Sequence, residues 1–161
     1  MRIVIGIHAG LEVFKVRPSS IVKLQVRTDL GESSDAQALI EKAKDLRIRI
    51  EKVSHAQLDK LGRGHQGVAL EVKDGPHFDW KQDEKKKQSL LMVLDGIEDP
   101  QNLGAILRTA WLSGLSGIFL PSNHSAHLSP TVQKIACGGA EHIPVETVGN
   151  LVALLKDLKE R

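Results

Sequence analysis

The residues predict an α/β protein in two parts, and three observations carry that prediction. Between residues 21 and 72, the alternating segments IVKLQVR, RIRIEKV and QGVALEV are separated by two stretches of helical character. From residue 89 onward, the apolar runs SLLMVLDG and GIFLP and the segment HIPVETV are each followed by a helical stretch; repeated β-then-α order implies a parallel sheet with right-handed crossovers. Between the two parts, KDGPHFDWKQDEKKKQS combines Gly75-Pro76 with a charge cluster, the composition of a linker. The expected division is residues 1–73, a linker at 74–88, and a second unit at 89–161.

Taken in order, IVKLQVR alternates apolar and polar as a half-buried strand does. SSDAQALIEKAKDL then offers Ser34 or Asp35 as an N-cap, with Ala36, Leu39, Ile40, Ala43 and Leu46 at helical spacing. RIRIEKV is the second strand, SHAQLDKL a short capped helix, and QGVALEV the third strand. In the second unit, SLLMVLDG is a continuous apolar run of the kind found in a strand buried on both faces. A helix from Asn102 to about Ser113, the strand GIFLP, a helix near Pro130–Ala136, the strand HIPVETV and a helix from Asn150 complete the order. That last helix is expected to gather Leu151, Leu154, Leu155 and Leu158 on one face, which needs a cover.

Composition narrows the function classes. Of 161 residues, 41% are apolar and 26% charged, the balance of a globular protein. No run approaches the roughly 18 apolar residues of a membrane span, and MRIVIGIHAG lacks the h-region and cleavage site of a leader, so a cytoplasmic location is expected. Cys137 has no second cysteine for a disulfide or a metal cluster, and its small apolar neighbours in IACGGA point to a buried structural thiol. His124 and His127 lack further ligands at metal-site spacing, so no metal is expected. Residues 1–72 hold 12 Lys and Arg against 9 Asp and Glu, a mild basic bias compatible with nucleic acid. With no Tyr and only five Trp and Phe, such binding does not rest on a broad stacking platform. Lys85, Lys86 and Lys87 read either as a solvated cluster or as a source of transient RNA attraction.

The stretch from Leu94 to Ala110, LDGIEDPQNLGAILRTA, is the most informative. Asp99-Pro100 turns the chain, and Asn102 is suited to cap the helix that follows. On a wheel of about 100° per residue, Leu103, Ile106, Leu107, Ala110 and Trp111 form one apolar stripe. Arg108 lies just beyond one edge of it and Asn102 beyond the other. One reading is an amphipathic helix with a solvated arginine. The other is a ligand site, because in a parallel α/β sheet ligands bind beyond the carboxyl ends of strands. An Asn there donates and accepts hydrogen bonds, and an Arg supplies a permanent charge and a fork of donors that fits phosphate. No GxxxxGK[ST], HExxH or post-strand GxGxxG occurs.

This seventeen-residue stretch resembles the first signature of the SpoU (TrmH) family of RNA ribose 2′-O-methyltransferases, in the SPOUT superfamily. SGIFLP and SPTVQKIACGGAEHIPV resemble that family in order and spacing. GIHAGLEV and GRGHQGVALEV are similar to the L30e-like RNA-binding domain of the subgroup that methylates a guanosine of 23S ribosomal RNA. The resemblance implies an L30e-like domain followed by a knotted SPOUT domain, S-adenosylmethionine as methyl donor, ribosomal RNA as partner, and a homodimer. It implies that Asn102 and Arg108 are catalytic, with Arg108 binding RNA phosphate and activating the ribose hydroxyl. His8, Arg63, His65 and Gln66 fall in the RNA-binding stretches; on chemistry alone, Arg63 between Gly62 and Gly64 is a flexible basic turn able to approach phosphate, or an ordinary loop. Glu141 reads either as a further functional residue or as a polar residue entering a strand. The family's glycine-rich loop and its Ser-Leu-Asn-rich segment, which form most of the cofactor pocket and tie the knot, do not occur in these residues. The SPOUT domain is therefore expected to be incomplete here, the chain being either part of a longer enzyme or a non-catalytic RNA-binding or ribosome-assembly relative. A tRNA-directed methyltransferase is the other alternative.

Overall fold

The computed structural model describes residues 1–31, 34–73, 75–77 and 89–160. The expected linker at 74–88, with Lys85–Lys87, falls outside the described residues apart from 75–77. The front half is built on β1 (Arg2–Ile5), α1 (Ile7–Val16), β2 (Ile21–Arg27), α2 (Ser34–Asp45), β3 (Arg49–Val53), α3 (His55–Asp59) and β4 (Val68–Val72). Its strands form a mixed sheet in the order β1-β4-β2-β3, with β2 and β3 parallel and β4 antiparallel to both β1 and β2. Period-2 alternation sorts the side chains: Val4, Leu24, Val26 and Leu70 meet Ala9, Val13 and Phe14 of α1 and Leu39 and Ala43 of α2. Ile5, Val53 and Ala69 face the other way, toward Leu58 of α3. Alternation in the sequence locates β2, β3 and β4; β1 lacks it, whereas α1 has an apolar stripe as marked as that of α2. α1 contains Gly10, where an added Cβ would lie 2.9 Å from Leu70 Cδ1. Gly10 lies on the buried face with Ala9, Val13 and Phe14, and its missing Cβ lets that face close on Leu70.

The second half contains β5 (Leu91–Val93), α4 (Pro100–Leu112), β6 (Gly117–Pro121), α5 (Pro130–Ile135), α6 (Gly139–His142), β7 (Val145–Val148) and α7 (Leu151–Lys159). The sheet is parallel throughout, in the order β5-β6-β7. Leu103, Leu107 and Ala110 of α4 join Ile118 and Leu120 of β6 and Val132 and Ala136 at its centre. Four expectations need correction. β5 is an edge strand with half-buried residues, not one buried on both faces, since β6 alone pairs with it among the described residues. On α7, Leu154 is buried but Leu155 is half exposed, because Leu151, Leu154 and Leu158 already fill the inward face. Cys137 is half-buried at a left-handed φ of 49°, not a core thiol. Asn102 does not cap α4. That position belongs to Asp99, whose side chain accepts the Gln101 N–H at 2.8 Å, while Pro100 occupies the first helical position, where its missing N–H costs nothing.

The two halves pack through α5 and α6. α5 lies against β1, the edge strand of the front sheet. Glu141 of α6 is 1% exposed and pairs with Arg2 Nη2 at 2.5 Å and with Arg17 Nη2. Beside it, His142 Nε2 lies 2.7 Å from Glu12 Oε2 of α1. No helix among the described residues is long and apolar enough to cross a membrane.

Two outcomes follow from this packing. Glu141→Gln leaves two guanidiniums facing a neutral amide, and urea denaturation should show a loss of about 3 kcal/mol, the scale for breaking a buried ion pair from one side. Asp99→Ala removes a cap and should cost about 1 kcal/mol by the same measurement.

Candidate functional site

Helix α4 starts just past the carboxyl end of β5, and what holds it decides what it offers to solvent. Its buried face is Leu103, Gly104, Leu107 and Ala110. At Gly104 an added Cβ would lie 2.7 Å from Ile135 Cβ, so α5 packs almost on the α4 backbone. At Gly139 an added Cβ would lie 2.8 Å from the Leu107 carbonyl and 3.1 Å from Arg108 Cα, so α6 presses on the same helix at the arginine. Trp111 stacks on the His142 ring with centroids 4.2 Å apart. Helices α5 and α6 thereby fix the backbone of Arg108 while its side chain stays exposed.

Asn102 and Arg108 are both exposed, and neither has a hydrogen-bond or ion-pair partner among the described residues. Six helical residues separate them by about 9 Å along the axis and about 120° around it. They therefore flank the outer face of α4 rather than converge on one point. Glu141 is not part of that surface: its carboxylate is spent on Arg2 and Arg17, which favours the structural of its two readings.

The candidate RNA-binding residues separate in the same way. His8 is exposed in the first turn of α1, and Arg63 is exposed in the loop between α3 and β4. His65 is buried: its Nδ1 accepts the Gly67 N–H at 2.9 Å, and its Nε2 lies 3.4 Å from Asp59 Oδ1. Burial pushes the His65 pKa below its ordinary value, with nearby His55 adding to the effect. Gln66 Oε1 accepts the Ile7 N–H at 3.0 Å. Because Gly6 offers α1 no side-chain cap, the Gln66 amide supplies one from a distant loop. His65 and Gln66 thus build the loop that displays Arg63.

The loop edges a recess of about 580 Å³ lined by Arg63, His65 and Gln66 together with Arg27, His55, Asp59 and Lys60. His55 and Asp59 were not among the residues singled out from sequence. Their i,i+4 spacing in SHAQLDKL was the one available signal, and His55 Nδ1 indeed lies 2.8 Å from Asp59 Oδ2. With His65, they form a group able to surround a metal ion. Of the two histidines weighed in the sequence, His124 instead lies 3.5 Å from Glu98 Oε1 in an exposed pair.

Comparison with known proteins follows the same two halves. Residues 89–161 match the SpoU rRNA Methylase family, and residues 3–77 match the RNA 2′-O ribose methyltransferase substrate binding family. A Neisseria meningitidis protein named 23S rRNA (guanosine-2′-O-)-methyltransferase RlmB is 37% identical over 99% of this chain and 65% of its own length. The Bordetella pertussis protein of the same name is 34% identical over 99% of this chain and 67% of its own. A Staphylococcus aureus protein of the TrmH family, named for tRNA/rRNA methyltransferase activity, is 35% identical, and the chain spans 65% of its length. The fold is similar to part of the SpoU methyltransferase AviRb from Streptomyces viridochromogenes, crystallised with AdoMet, at a TM-score of 0.74 and 19% identity over 99% of this chain and 58% of that one. With both halves matched and the Bordetella relative spanned over two thirds of its length, the chain belongs to the SpoU rRNA methylase family.

Proposed function

We propose that this protein transfers a methyl group from S-adenosylmethionine to a ribose 2′-hydroxyl of ribosomal RNA, at a guanosine of 23S RNA. The observation that carries the reading is Arg108, an exposed arginine without a partner among the described residues, on a helix whose backbone is pinned by α5 and α6. The names of the Neisseria and Bordetella relatives support the guanosine target. In this reading residues 1–73 hold the RNA, 74–88 link the halves, and 89–161 carry Asn102 and Arg108.

Chemistry at Arg108 is electrostatic. A guanidinium stays protonated at all physiological pH values and is not an ordinary general base. Its fork grips a phosphate in two parallel hydrogen bonds, and its charge stabilises the negative charge that develops on the neighbouring 2′-oxygen as that oxygen bonds the methyl carbon and its proton passes to solvent water. Asn102 adds a donor and an acceptor at the start of the same helix. The methyl donor asks for different groups: an apolar slot for adenine, a partner for the ribose diol, and counter-charges for an ammonium and a carboxylate. The groove beside α4, lined by Met92, Leu94, Ala105, Ile106, Thr109 and Ala110, holds no charged side chain. It does not fit the donor by itself.

We propose further that the protein acts as a homodimer; Leu112, 71% exposed at the end of α4, and half-exposed Leu155 supply apolar surface for a second copy. Light scattering should give the mass of two chains.

Arg108→Ala should lower methyl incorporation from labelled S-adenosylmethionine into ribosomal RNA by at least a hundredfold. Its unfolding midpoint should stay close to that of the parent, because an exposed arginine without partners contributes within about 0.5 kcal/mol of stability. Arg108→Lys should recover only part of the activity, having the charge but not the fork. Near-normal transfer by Arg108→Ala would remove the assignment. RNA binding by the parent protein with no methyl transfer at all would instead favour the RNA-binding module.

A further inference from the structure

The recess beside the loop of residues 60–67 contains a hydrogen-bonded arrangement that the methyl-transfer reading does not use. Gly67 N–H points at His65 Nδ1. A neutral imidazole that accepts at one nitrogen carries its proton on the other, so His65 Nε2 bears the hydrogen and donates toward Asp59 Oδ1. The other Asp59 oxygen lies 2.8 Å from His55 Nδ1. Each carboxylate oxygen therefore sits beside an imidazole nitrogen. His55 is left with Nε2 free on a side chain that is 57% exposed.

The same arrangement argues against a metal. A cation held by His55, Asp59 and His65 would need a lone pair on His65 Nε2, the atom that carries the proton. What remains is a recess with Lys60 and Arg63 at its edge beside the carboxylate of Asp59, while Arg27, also in the lining, is paired with Asp29 at 2.8 Å. Its volume of about 580 Å³ lies within the range of small-ligand sites. The loop is also preformed. Gly64, Gln66 and Gly67 all have positive φ, and side chains at Gly64 and Gly67 would run into Lys134 and Leu30.

We propose that this recess is a nucleotide subsite for single-stranded RNA, in which His55 Nε2 hydrogen-bonds a ribose 2′-hydroxyl and Lys60 and Arg63 take the adjacent phosphate. It rests on the RNA-methylation reading and gives that reading a second point of contact, separate from Arg108. A free imidazole nitrogen accepts from a hydroxyl when neutral and donates to it when protonated, so His55 suits that partner in either state. Asp59 lies 2.8 Å from His55 Nδ1, the ring nitrogen opposite the one that meets the hydroxyl. The 2′-hydroxyl is the group by which a protein tells RNA from DNA, whereas phosphate contacts carry no such information.

The test is fluorescence anisotropy with a labelled single-stranded RNA and the DNA of the same sequence, on the full chain, with circular dichroism as the folding control. The parent should prefer RNA. His55→Ala should weaken RNA binding about tenfold and leave DNA binding within about twofold, and Asp59→Asn should move in the same direction. Lys60→Ala/Arg63→Ala should weaken both oligonucleotides alike and flatten the salt dependence by about 1.4 in log–log slope, roughly 0.7 for each lost phosphate contact on a single strand. If the parent binds RNA but neither His55→Ala nor Lys60→Ala/Arg63→Ala changes it, the subsite is overturned while the RNA reading stands. If the parent binds no RNA, both fall. A single tight zinc site by calorimetry, lost in Asp59→Asn, would also overturn the proposal, because it would place a metal where the nucleotide is placed.

Discussion

One buried carboxylate sets how the two halves of this molecule meet. Glu141 is brought by a four-residue helix to a position with almost no solvent, where Arg2 and Arg17 from the front half answer its charge. An isolated carboxylate there would cost several kcal/mol in lost hydration. Withdrawing the front half would take both guanidiniums away from the buried Glu141 carboxylate, so the seam resists small displacements. The neighbouring contacts extend the constraint: His142 meets Glu12, and the same ring stacks on Trp111 of α4. Among the described residues the seam is also imperfect, since the buried Gln133 carboxamide has no hydrogen-bond partner on either of its ends, a cost of about 1–3 kcal/mol per unsatisfied group. The ion pairs and the apolar packing of α5 against β1 offset it.

The seam also explains why an arginine on the surface of α4 is well placed for chemistry. A side chain contributes a defined electrostatic field only if its backbone is fixed. At Arg108 this comes from Gly139, whose missing Cβ lets α6 sit against the α4 backbone, and from Gly104, which lets α5 do the same one turn earlier. Glu141 and Gly139 belong to the same short helix. The element that joins the halves is therefore the element that presses on Arg108. The contrast between the charges is instructive: Glu141, Arg2 and Arg17 are spent on structure, while Arg108 is left to solvent and to whatever anion approaches.

A similar partition runs through the loop of residues 60–67. His65 and Gln66 point back into the protein, one onto Gly67 and Asp59 and the other onto the start of α1. Arg63 and Lys60 point out. Adjacent residues in the chain thus serve opposite purposes. The loop can do this because its positive-φ positions turn the backbone sharply between them. Lys134 of α5 reaches over Gly64, so the loop, like α4, is braced by the second half.

Local pattern in the sequence determined most of the elements. Alternation located β2, β3 and β4, the apolar runs located β5 and β6, and the helical stripe of Leu103, Leu107 and Ala110 is the buried face of α4. It also determined that Arg108 would stand beside that stripe, because helical spacing alone puts it outside the apolar arc. These are short-range consequences of periodicity, and periodicity is written in adjacent residues. Tertiary structure alone decided the rest. Gly10 of α1 closes on Leu70, β5 is an edge because β6 alone pairs with it among the described residues, and Asp99 rather than Asn102 caps α4. Glu141 became the clamp only when Arg2 and Arg17, more than a hundred positions away, arrived beside it. Whether a polar residue acts on a ligand or on its own protein depends on which groups surround it once the chain has folded, and spacing along the chain does not encode those neighbours.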